Sequence, residues 1–146
     1  MRIDASMIVY LDTSSLVKLY VEEDGSSEVD SLVKSSEVTA TSIVAYAEAR
    51  AAFARRYREE AFTSAGHDRI KKFFDKDWDS YLTLNITRDT VKLAGDLAEK
   101  HALRGFDSIH LATALTLRQE LSTAIVFSCF DANLQKASKL ENLDQG

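Results

Sequence analysis

The sequence predicts an α/β fold, a three-layer α/β/α sandwich in which a short parallel sheet lies between layers of helices, with more helix than strand. Short apolar runs alternate with longer amphipathic stretches, a pattern typical of strands that pair in parallel through right-handed crossovers. The 146 residues, 45% of them hydrophobic, suit a single core. Because the sequence contains neither a repeat nor a linker, we expect one domain over residues 1–146.

Four short apolar runs are the predicted strands. They cover residues 8–11, 38–41, 82–86 and 124–128. Residues 140–146 are too few and too polar to assign, and they form either a brief fifth strand or a frayed end.

Helical patterns fill the intervals between these strands. The predicted helices cover residues 13–22, 26–34, 42–59, 63–79, 87–104, 106–121 and 131–139. The pair Asp24-Gly25 separates the first two helices, and a turn is expected near Gly66 in the fourth. Gly105 suits the left-handed residue that follows a helix end. Because the chain has no proline, glycine, capping residues and pattern alone set these limits, and we expect errors of about two to four residues.

The composition excludes several classes of protein. No stretch approaches the roughly 18 apolar residues of a membrane-spanning helix. Residues 1–4 lack the basic start and long apolar run of a secretory signal, so we expect a cytoplasmic protein. The single cysteine, Cys129, cannot form an internal disulfide or a thiolate zinc cluster, and we expect it to pack as a small apolar group.

The formal net charge of −5 argues against a protein that holds nucleic acid by a general excess of positive charge. One predicted helix nevertheless carries four arginines, namely Arg50, Arg55, Arg56 and Arg58. These side chains form either a solvated helix face, which the charge pattern alone favours, or a surface for a polyanionic substrate. Divalent cations bound to carboxylates would reverse the local charge, so an acidic protein remains compatible with the second alternative.

Asp12 is the most informative residue, because it closes the first predicted strand and precedes a predicted helix. Open α/β sheets build their sites at the carboxyl ends of strands. A carboxylate at such a place, with no lysine or arginine beside it, needs a cation or a hydrogen-bonding turn. Asp12 is therefore a candidate metal ligand.

Glu48 lies on the apolar stripe of its predicted helix, which should face the sheet. A lone glutamate among small apolar residues carries a desolvation penalty unless a positive group meets it. Arg55, two turns further along the same side, is one candidate and a metal ion is another. The sequence leaves open whether Glu48 forms a structural pair or binds a ligand.

Asp107 and Asp131 each stand at a predicted helix start, where an aspartate most often serves as a cap. Asp131 also follows a predicted strand, on the same sheet edge as Asp12, and a helix that starts from this edge would bring Asp107 close. Four gathered carboxylates without paired His or Cys favour a hard ion, Mg²⁺ or Mn²⁺, that keeps several waters. Because such an ion binds phosphate oxygens and activates water, the predicted chemistry is phosphodiester hydrolysis.

Four segments carry a family resemblance. They read YLDTSSLVKLY at residues 10–20, YAEA at 46–49, FDSIHLA at 106–112 and SCFDANL at 128–134. Together they resemble the PIN domain, and more narrowly the VapC ribonuclease toxins of prokaryotic toxin-antitoxin pairs. The resemblance runs from about residue 8 to residue 139 with order and spacing intact.

The resemblance implies an α/β/α sandwich and a Mg²⁺-dependent endoribonuclease, commonly a homodimer and held inactive by a cognate VapB-type antitoxin. Asp12 and Asp107 would be the central metal ligands. The other acids would complete the cluster directly or through water, so the full catalytic and metal-binding set is Asp12, Glu48, Asp107 and Asp131. Ser128 matches a small hydroxyl residue that orients a ligand or a water, and Thr13 is assigned a similar supporting role.

We therefore predict a ribonuclease that cuts single-stranded or loop RNA by metal-assisted hydrolysis. Arg55 or Arg56 is expected to contribute to RNA affinity. His110, one turn after Asp107, either contacts a phosphate or a metal-bound water or, more commonly for such a residue, makes a structural hydrogen bond.

Two alternatives stay open. A non-catalytic interaction domain would keep the fold and use its acids as caps. An aspartate phosphatase of the haloacid dehalogenase type also places an aspartate after its first strand, but that chemistry needs a second acid two residues later, where this chain has Ser14.

Overall fold

A central sheet of five parallel strands organises the computed structural model, which describes residues 7–146. The strands are β1 (Ile8–Leu11), β2 (Val38–Ser42), β3 (Leu82–Leu84), β4 (Ile125–Ser128) and β5 (Asp144–Gln145). Their order across the sheet is β3-β2-β1-β4-β5, and each neighbouring pair is parallel. The expectation drawn from residues 1–4 lies outside the described residues.

Seven helices cover the two faces of the sheet within residues 7–146. They are α1 (Thr13–Val17), α2 (Ser26–Lys34), α3 (Ala45–Arg58), α4 (Ser64–Trp78), α5 (Arg88–His101), α6 (Gly105–Leu121) and α7 (Ala132–Leu140). None of the helices in this range is long and apolar enough to cross a membrane.

Strand β1 shows why the sheet needs helices on both sides. Ile8 and Tyr10 pack into the apolar cluster that α5, α6 and α7 cover, whereas Val9 and Leu11 pack into the cluster that α1 to α4 cover. Successive side chains of a strand point to opposite faces, so a strand that is apolar throughout must be covered twice. All four residues are buried, which confirms the predicted three-layer α/β/α class.

Most predicted elements are confirmed, but two glycine assignments are wrong. Gly66 lies in the first turn of an unbroken α4, where its N–H donates to the capping Thr63 hydroxyl at 3.0 Å. The left-handed residue after α5 is Ala102, with φ 54°, and Gly105 begins α6. The sequence signal failed because glycine is only the commonest residue at a left-handed helix end, and α5 already ends at His101, four residues before Gly105.

The ends of the chain's elements differ in smaller ways. The first helix stops at Val17 instead of continuing to residue 22, because the N–H groups of residues 18–20 bind carbonyls three residues back, as in a 3₁₀ turn. The tail does form a fifth strand, but it has only two residues, which pair with Val126 and Phe127 at the sheet edge.

The pairing of β1 with β4 places two helix starts side by side. Leu11 is in register with Ser128, and the Asp12 N–H donates to the Ser128 carbonyl at 3.1 Å. Helices α1 and α7 therefore both begin at the carboxyl edge of the two most central strands. This is the edge at which parallel sheets usually build their sites.

Candidate active site

A small cavity of about 160 Å³ opens at this edge of the sheet. Its lining residues are Asp12, Thr13, Ser14, Glu48, Arg104, Asp107, His110, Phe130 and Asp131. All four acids selected from the sequence therefore lie around one cavity, although α1, α3, α6 and α7 each supply one of them or follow it directly. Thr13, a predicted supporting residue, and His110, a candidate for substrate contact, line it as well.

Asp12 is both a helix cap and a buried carboxylate. Its Oδ1 accepts hydrogen bonds from the Ser14 hydroxyl at 2.8 Å and the Ser15 N–H at 2.9 Å. The side chain is only 4% exposed, and this burial raises the pKa of the carboxyl. His110 and the two hydrogen bonds offset part of that shift, while the charge of Asp107 adds to it. Within residues 7–146 the hydrogen bonds to the Asp12 side chain all use Oδ1, which leaves Oδ2 for another ligand.

Glu48 is held by a chain of hydrogen bonds that starts in the core. The Thr13 hydroxyl donates to Glu48 Oε1 at 2.6 Å, and His110 Nε2 lies 3.0 Å from the same oxygen. The Tyr10 hydroxyl lies 2.7 Å from His110 Nδ1. Arg55, the positive partner considered for Glu48, makes no described ion pair with it, because the buried His110 occupies that place.

The proton positions in this chain follow from the acceptor at its end. An ionised carboxylate only accepts hydrogen bonds, so His110 Nε2 must carry the proton that it shares with Glu48. In the singly protonated ring Nδ1 is then the acceptor, and the Tyr10 hydroxyl donates to it. Burial raises the pKa of Tyr10, which keeps that donor proton in place. Burial alone would also raise the pKa of Glu48, but the hydrogen bonds from His110 and Thr13 outweigh it and lower the pKa.

Asp107 and Asp131 lie on the open side of the cavity. The cap explanation is wrong for Asp107, because Arg104 is the N-cap residue of α6 and Asp107 lies further into the first turn. Its Oδ2 instead accepts a hydrogen bond from Arg104 Nε at 3.0 Å, and Arg104 Nη2 forms an ion pair with the same oxygen at 3.0 Å. Asp131 does cap α7, accepting from the Leu134 N–H at 3.0 Å, and its Oδ1 is 3.9 Å from Arg104 Nη2.

Ser128 supports the site from behind the cavity. It does not line the cavity, and its hydroxyl lies 2.9 Å from that of Ser15, whose N–H binds Asp12. The expectation that Ser128 itself orients a ligand or a water is therefore replaced by an indirect contact through α1.

A second cavity of about 650 Å³ adjoins the first. Three of the predicted basic residues line it, namely Arg55, Arg56 and Arg58, and it shares with the acidic cavity Thr13, Ser14, Glu48 and Arg104. Arg56 is bound to Glu23 at 2.5 Å. Arg50 lies apart, donating to the Tyr46 hydroxyl at 2.7 Å. The basic residues of α3 thus form a groove that leads to the acids.

The donor set suits a hard divalent cation. Every acid at the cavity offers carboxylate oxygens, and Mg²⁺ takes only one or two protein carboxylates while it keeps several waters. As the side chains stand, no three His, Cys, Asp or Glu groups among residues 7–146 converge closely enough to enclose an ion. The donors fit by their chemistry, since Asp12 is buried without a basic side chain hydrogen-bonded to it and retains Oδ2.

Three residues at the site were missed in the sequence. Ser14 binds the carboxylate of Asp12, Tyr10 begins the chain to Glu48, and Arg104 pairs with Asp107. A readable signal existed for Arg104, because basic and acidic residues three positions apart at a helix start often pair. The contact between Tyr10 and His110 spans 100 residues of sequence and left no local signal.

An α/β/α sandwich with acids at the carboxyl ends of its central strands places the chain in a known class. The model of the PIN domain family matches residues 9–140, so the chain belongs to the PIN domain family. Among curated proteins it is similar to two ribonucleases of Mycobacterium tuberculosis, VapC45 of strain CDC 1551 / Oshkosh and VapC49 of strain ATCC 25618 / H37Rv. Each is 36% identical over 110 residues, which cover 75% of this chain and 76% of the relative.

A solved structure agrees in fold. The crystal structure of VapBC2 from Rickettsia felis, bound to a DNA fragment from their promoter, matches with a TM-score of 0.61 at 16% identity. The match covers 96% of this chain and 98% of the other. These comparisons confirm the predicted resemblance to PIN domains and VapC ribonucleases.

Proposed function

We propose that this protein is a Mg²⁺-dependent endoribonuclease, the toxin of a toxin-antitoxin pair, acting in the cytoplasm. One observation carries the proposal. In a PIN-domain chain whose curated relatives are named ribonucleases, four acids from distant parts of the sequence line one cavity, and they are Asp12, Glu48, Asp107 and Asp131.

The acids divide the work according to their surroundings. Asp12 and Asp107 would hold the ion, with Glu48 and Asp131 contributing directly or through water. When bound, Mg²⁺ or Mn²⁺ polarises a phosphate oxygen and activates the attacking water. No protein nucleophile is required for this hydrolysis.

Glu48 is suited to orient a water molecule. Its lowered pKa makes it a weak base, and Thr13 and His110 fix its Oε1 from two directions. A carboxylate held in this way accepts a hydrogen bond from a water without taking its proton. The positions of Tyr10 and His110 behind it keep that orientation constant.

The groove supplies the contacts for the substrate backbone. RNA carries one negative charge per phosphate, and Arg55, Arg56 and Arg58 line the wall that leads to the acids. Arg55 has no described ion pair in residues 7–146, whereas Arg56 is bound to Glu23, so Arg55 is the better candidate for a phosphate contact.

A VapB-type antitoxin is the proposed protein partner, with a homodimer as the proposed assembly. The Rickettsia felis neighbour is, by its title, a VapBC complex on promoter DNA. Fold likeness and the VapC names of the curated relatives support the same pairing here.

Cleavage of a single-stranded RNA by the variant Asp12→Asn tests the proposal. We expect the wild-type protein to cut in Mg²⁺ and not in EDTA, and the variant to lose cutting in Mg²⁺. Asp96→Asn, an exposed acid on α5 away from the cavity, is the matched control and should cut like the wild type. Full Mg²⁺-dependent cutting by Asp12→Asn would contradict the assignment.

The alternative functions remain testable by the same variant. A non-catalytic interaction domain gains some support from the caps that Asp12 and Asp131 form, and in that case Asp12→Asn would bind the antitoxin while no preparation cuts RNA. A phosphatase of the haloacid dehalogenase type would need a second carboxylate at position 14. Ser14 stands there instead and donates a hydrogen bond to Asp12.

A further inference from the structure

Arg104 neutralises the open side of the acidic cavity from a highly exposed position. Its Nε donates a hydrogen bond to Asp107 Oδ2, while its Nη2 lies 3.0 Å from the same oxygen and 3.9 Å from Asp131 Oδ1. The Arg104 side chain is 79% exposed, whereas that of Asp107 is only 16% exposed. A highly exposed cation therefore covers a carboxylate that is itself mostly enclosed.

The Arg104 side chain can also reach the arginine groove. Apart from three residues of α1 and α3, Arg104 is the only residue that lines both the acidic cavity and the arginine groove in the described chain. An exposed arginine side chain has many rotamers, and the phosphates of a nucleic acid suit its planar fork as well as a carboxylate does. By a change of rotamer, the Arg104 guanidinium can thus either pair with the acids or bind a phosphate in the groove.

We propose that Arg104 is the internal counter-ion of the acidic cavity, that a divalent cation replaces it there, and that the released guanidinium binds a substrate phosphate in the groove. This inference rests on the proposed function. Asp107 Oδ2 already accepts the Arg104 Nε–H and lies 3.0 Å from Nη2, and a guanidinium beside a divalent cation would be repelled by that cation. Arrival of the metal therefore favours departure of Arg104 toward the groove, where substrate charge attracts it.

Metal binding without any nucleic acid tests the first step. Isothermal titration of Mn²⁺ into metal-free protein should show Arg104→Gln binding about fivefold more tightly than the wild type, the scale of one exposed ion pair. Arg58→Gln is the matched control, because Arg58 lines the groove but not the acidic cavity, and its affinity for Mn²⁺ should be unchanged. An equal or weaker affinity in Arg104→Gln would overturn the inference.

A second measurement uses the wild-type protein and does not depend on any variant folding. The Nε–Hε signal of Arg104 in a ¹H–¹⁵N spectrum reports its hydrogen bond to Asp107. We expect this signal to move or broaden as Mg²⁺ saturates the site. A signal that stays at its metal-free position up to saturation would mean that Arg104 is not displaced.

The second step predicts a dependence of nucleic-acid binding on metal. Single-stranded DNA, checked on a gel for integrity, serves as the phosphate probe. With Mg²⁺ present, Arg104→Gln should reduce the slope of log affinity against log salt by about 0.7, the value for one lost phosphate contact, and in EDTA it should not change the slope. Arg58→Gln should reduce the slope in both buffers. An Arg104→Gln slope equal to the wild type in Mg²⁺ would refute the step.

Asp107→Asn distinguishes a failure here from a failure of the proposed function. If this variant binds Mn²⁺ as the wild type does, the metal site itself is misplaced and both proposals fall. If it loses Mn²⁺ while Arg104→Gln gains nothing, the metal site stands and only the exchange of Arg104 is wrong.

Discussion

Two halves of the acidic cavity stabilise their carboxylates by different means. The inner half, Asp12 and Glu48, is bound by hydroxyl, amide and imidazole groups from α1 and α6. The outer half, Asp107 and Asp131, is covered by one exposed arginine, with a backbone N–H at Asp131. The carboxylates of the inner half thus have fixed partners, whereas those of the outer half have a partner that can be exchanged.

The difference separates positioning from neutralisation. Hydrogen bonds from buried groups set the direction of a carboxylate but supply no full positive charge, and burial keeps the pKa of Asp12 raised. An arginine supplies that charge but is held loosely at the surface. A cation that arrives at this cavity meets one rigid pair of acids and one pair that must first release its partner.

The largest expected effect comes from Asp12. Asp12→Asn should reduce cleavage about 100-fold or more, since the variant lacks a carboxylate that we propose as a metal ligand. In metal-free buffer it should nevertheless raise the free energy of unfolding, because asparagine caps as well as aspartate and carries no buried charge. Asp12→Ala should also be inactive, but less stable than Asp12→Asn by about 1 kcal/mol, because it loses the cap. Urea unfolding of both variants checks this, and equal stability would mean that capping of α1 by residue 12 does not contribute to stability.

The stability gain of Asp12→Asn should depend on pH in a defined direction. The pKa of Asp12 in the folded protein lies above its ordinary value of 3.8, so the folded state binds the proton more tightly than the unfolded state. The wild type therefore loses stability as pH rises from about that value through the folded pKa, and the asparagine variant does not share this loss. Urea midpoints between about pH 4 and 8, without metal, should diverge as pH rises. Parallel plots of urea midpoint against pH would show that the charge of Asp12 is already offset by neighbouring groups in the folded protein.

The hydrogen-bond chain behind Glu48 should give the next largest effect. Tyr10→Phe keeps the shape of the ring but removes the donor to His110 Nδ1, which leaves a buried nitrogen unpaired. We expect a cost of about 1–3 kcal/mol in unfolding free energy and about a 10-fold loss of cleavage at saturating Mg²⁺. Tyr46→Phe, which removes a hydroxyl outside the cavity, should keep full cleavage and serves as the control.

The sequence was sufficient where the physics is local. An apolar run that ends in an aspartate and a helix start predicted β1 and Asp12 within a residue, because strand burial and capping act over a few positions. The sequence was not sufficient to predict which residues bind the acids. Glu48 is met by His110, 62 residues away, and the α6 start was misread at Gly105, which hid the pair of Arg104 with Asp107. Side-chain partners depend on how helices pack, which no short pattern encodes.

The groove offers a smaller effect that separates two neighbouring arginines. Arg55→Gln should reduce the slope of log RNA affinity against log salt by about 0.7, as expected for one lost contact to a single strand. Arg56→Gln should reduce it less, because Glu23 already binds that guanidinium. Filter binding over a range of KCl concentrations in EDTA measures both. Equal slopes for wild type and Arg55→Gln would leave the groove without a role in binding.

The smallest expected effect is on the stability of the outer half. Asp107→Asn should leave the melting temperature in metal-free buffer within about 2 °C of the wild type, because its partner is exposed and such pairs contribute little. The contrast with Asp12→Asn is the sharpest check on the two halves, since both substitutions remove one carboxylate charge from one cavity. A large gain in Asp107→Asn would mean that Arg104 does not neutralise Asp107 in solution. A large loss would mean that the arginine pair holds the start of α6, and the outer half would then be as rigid as the inner one.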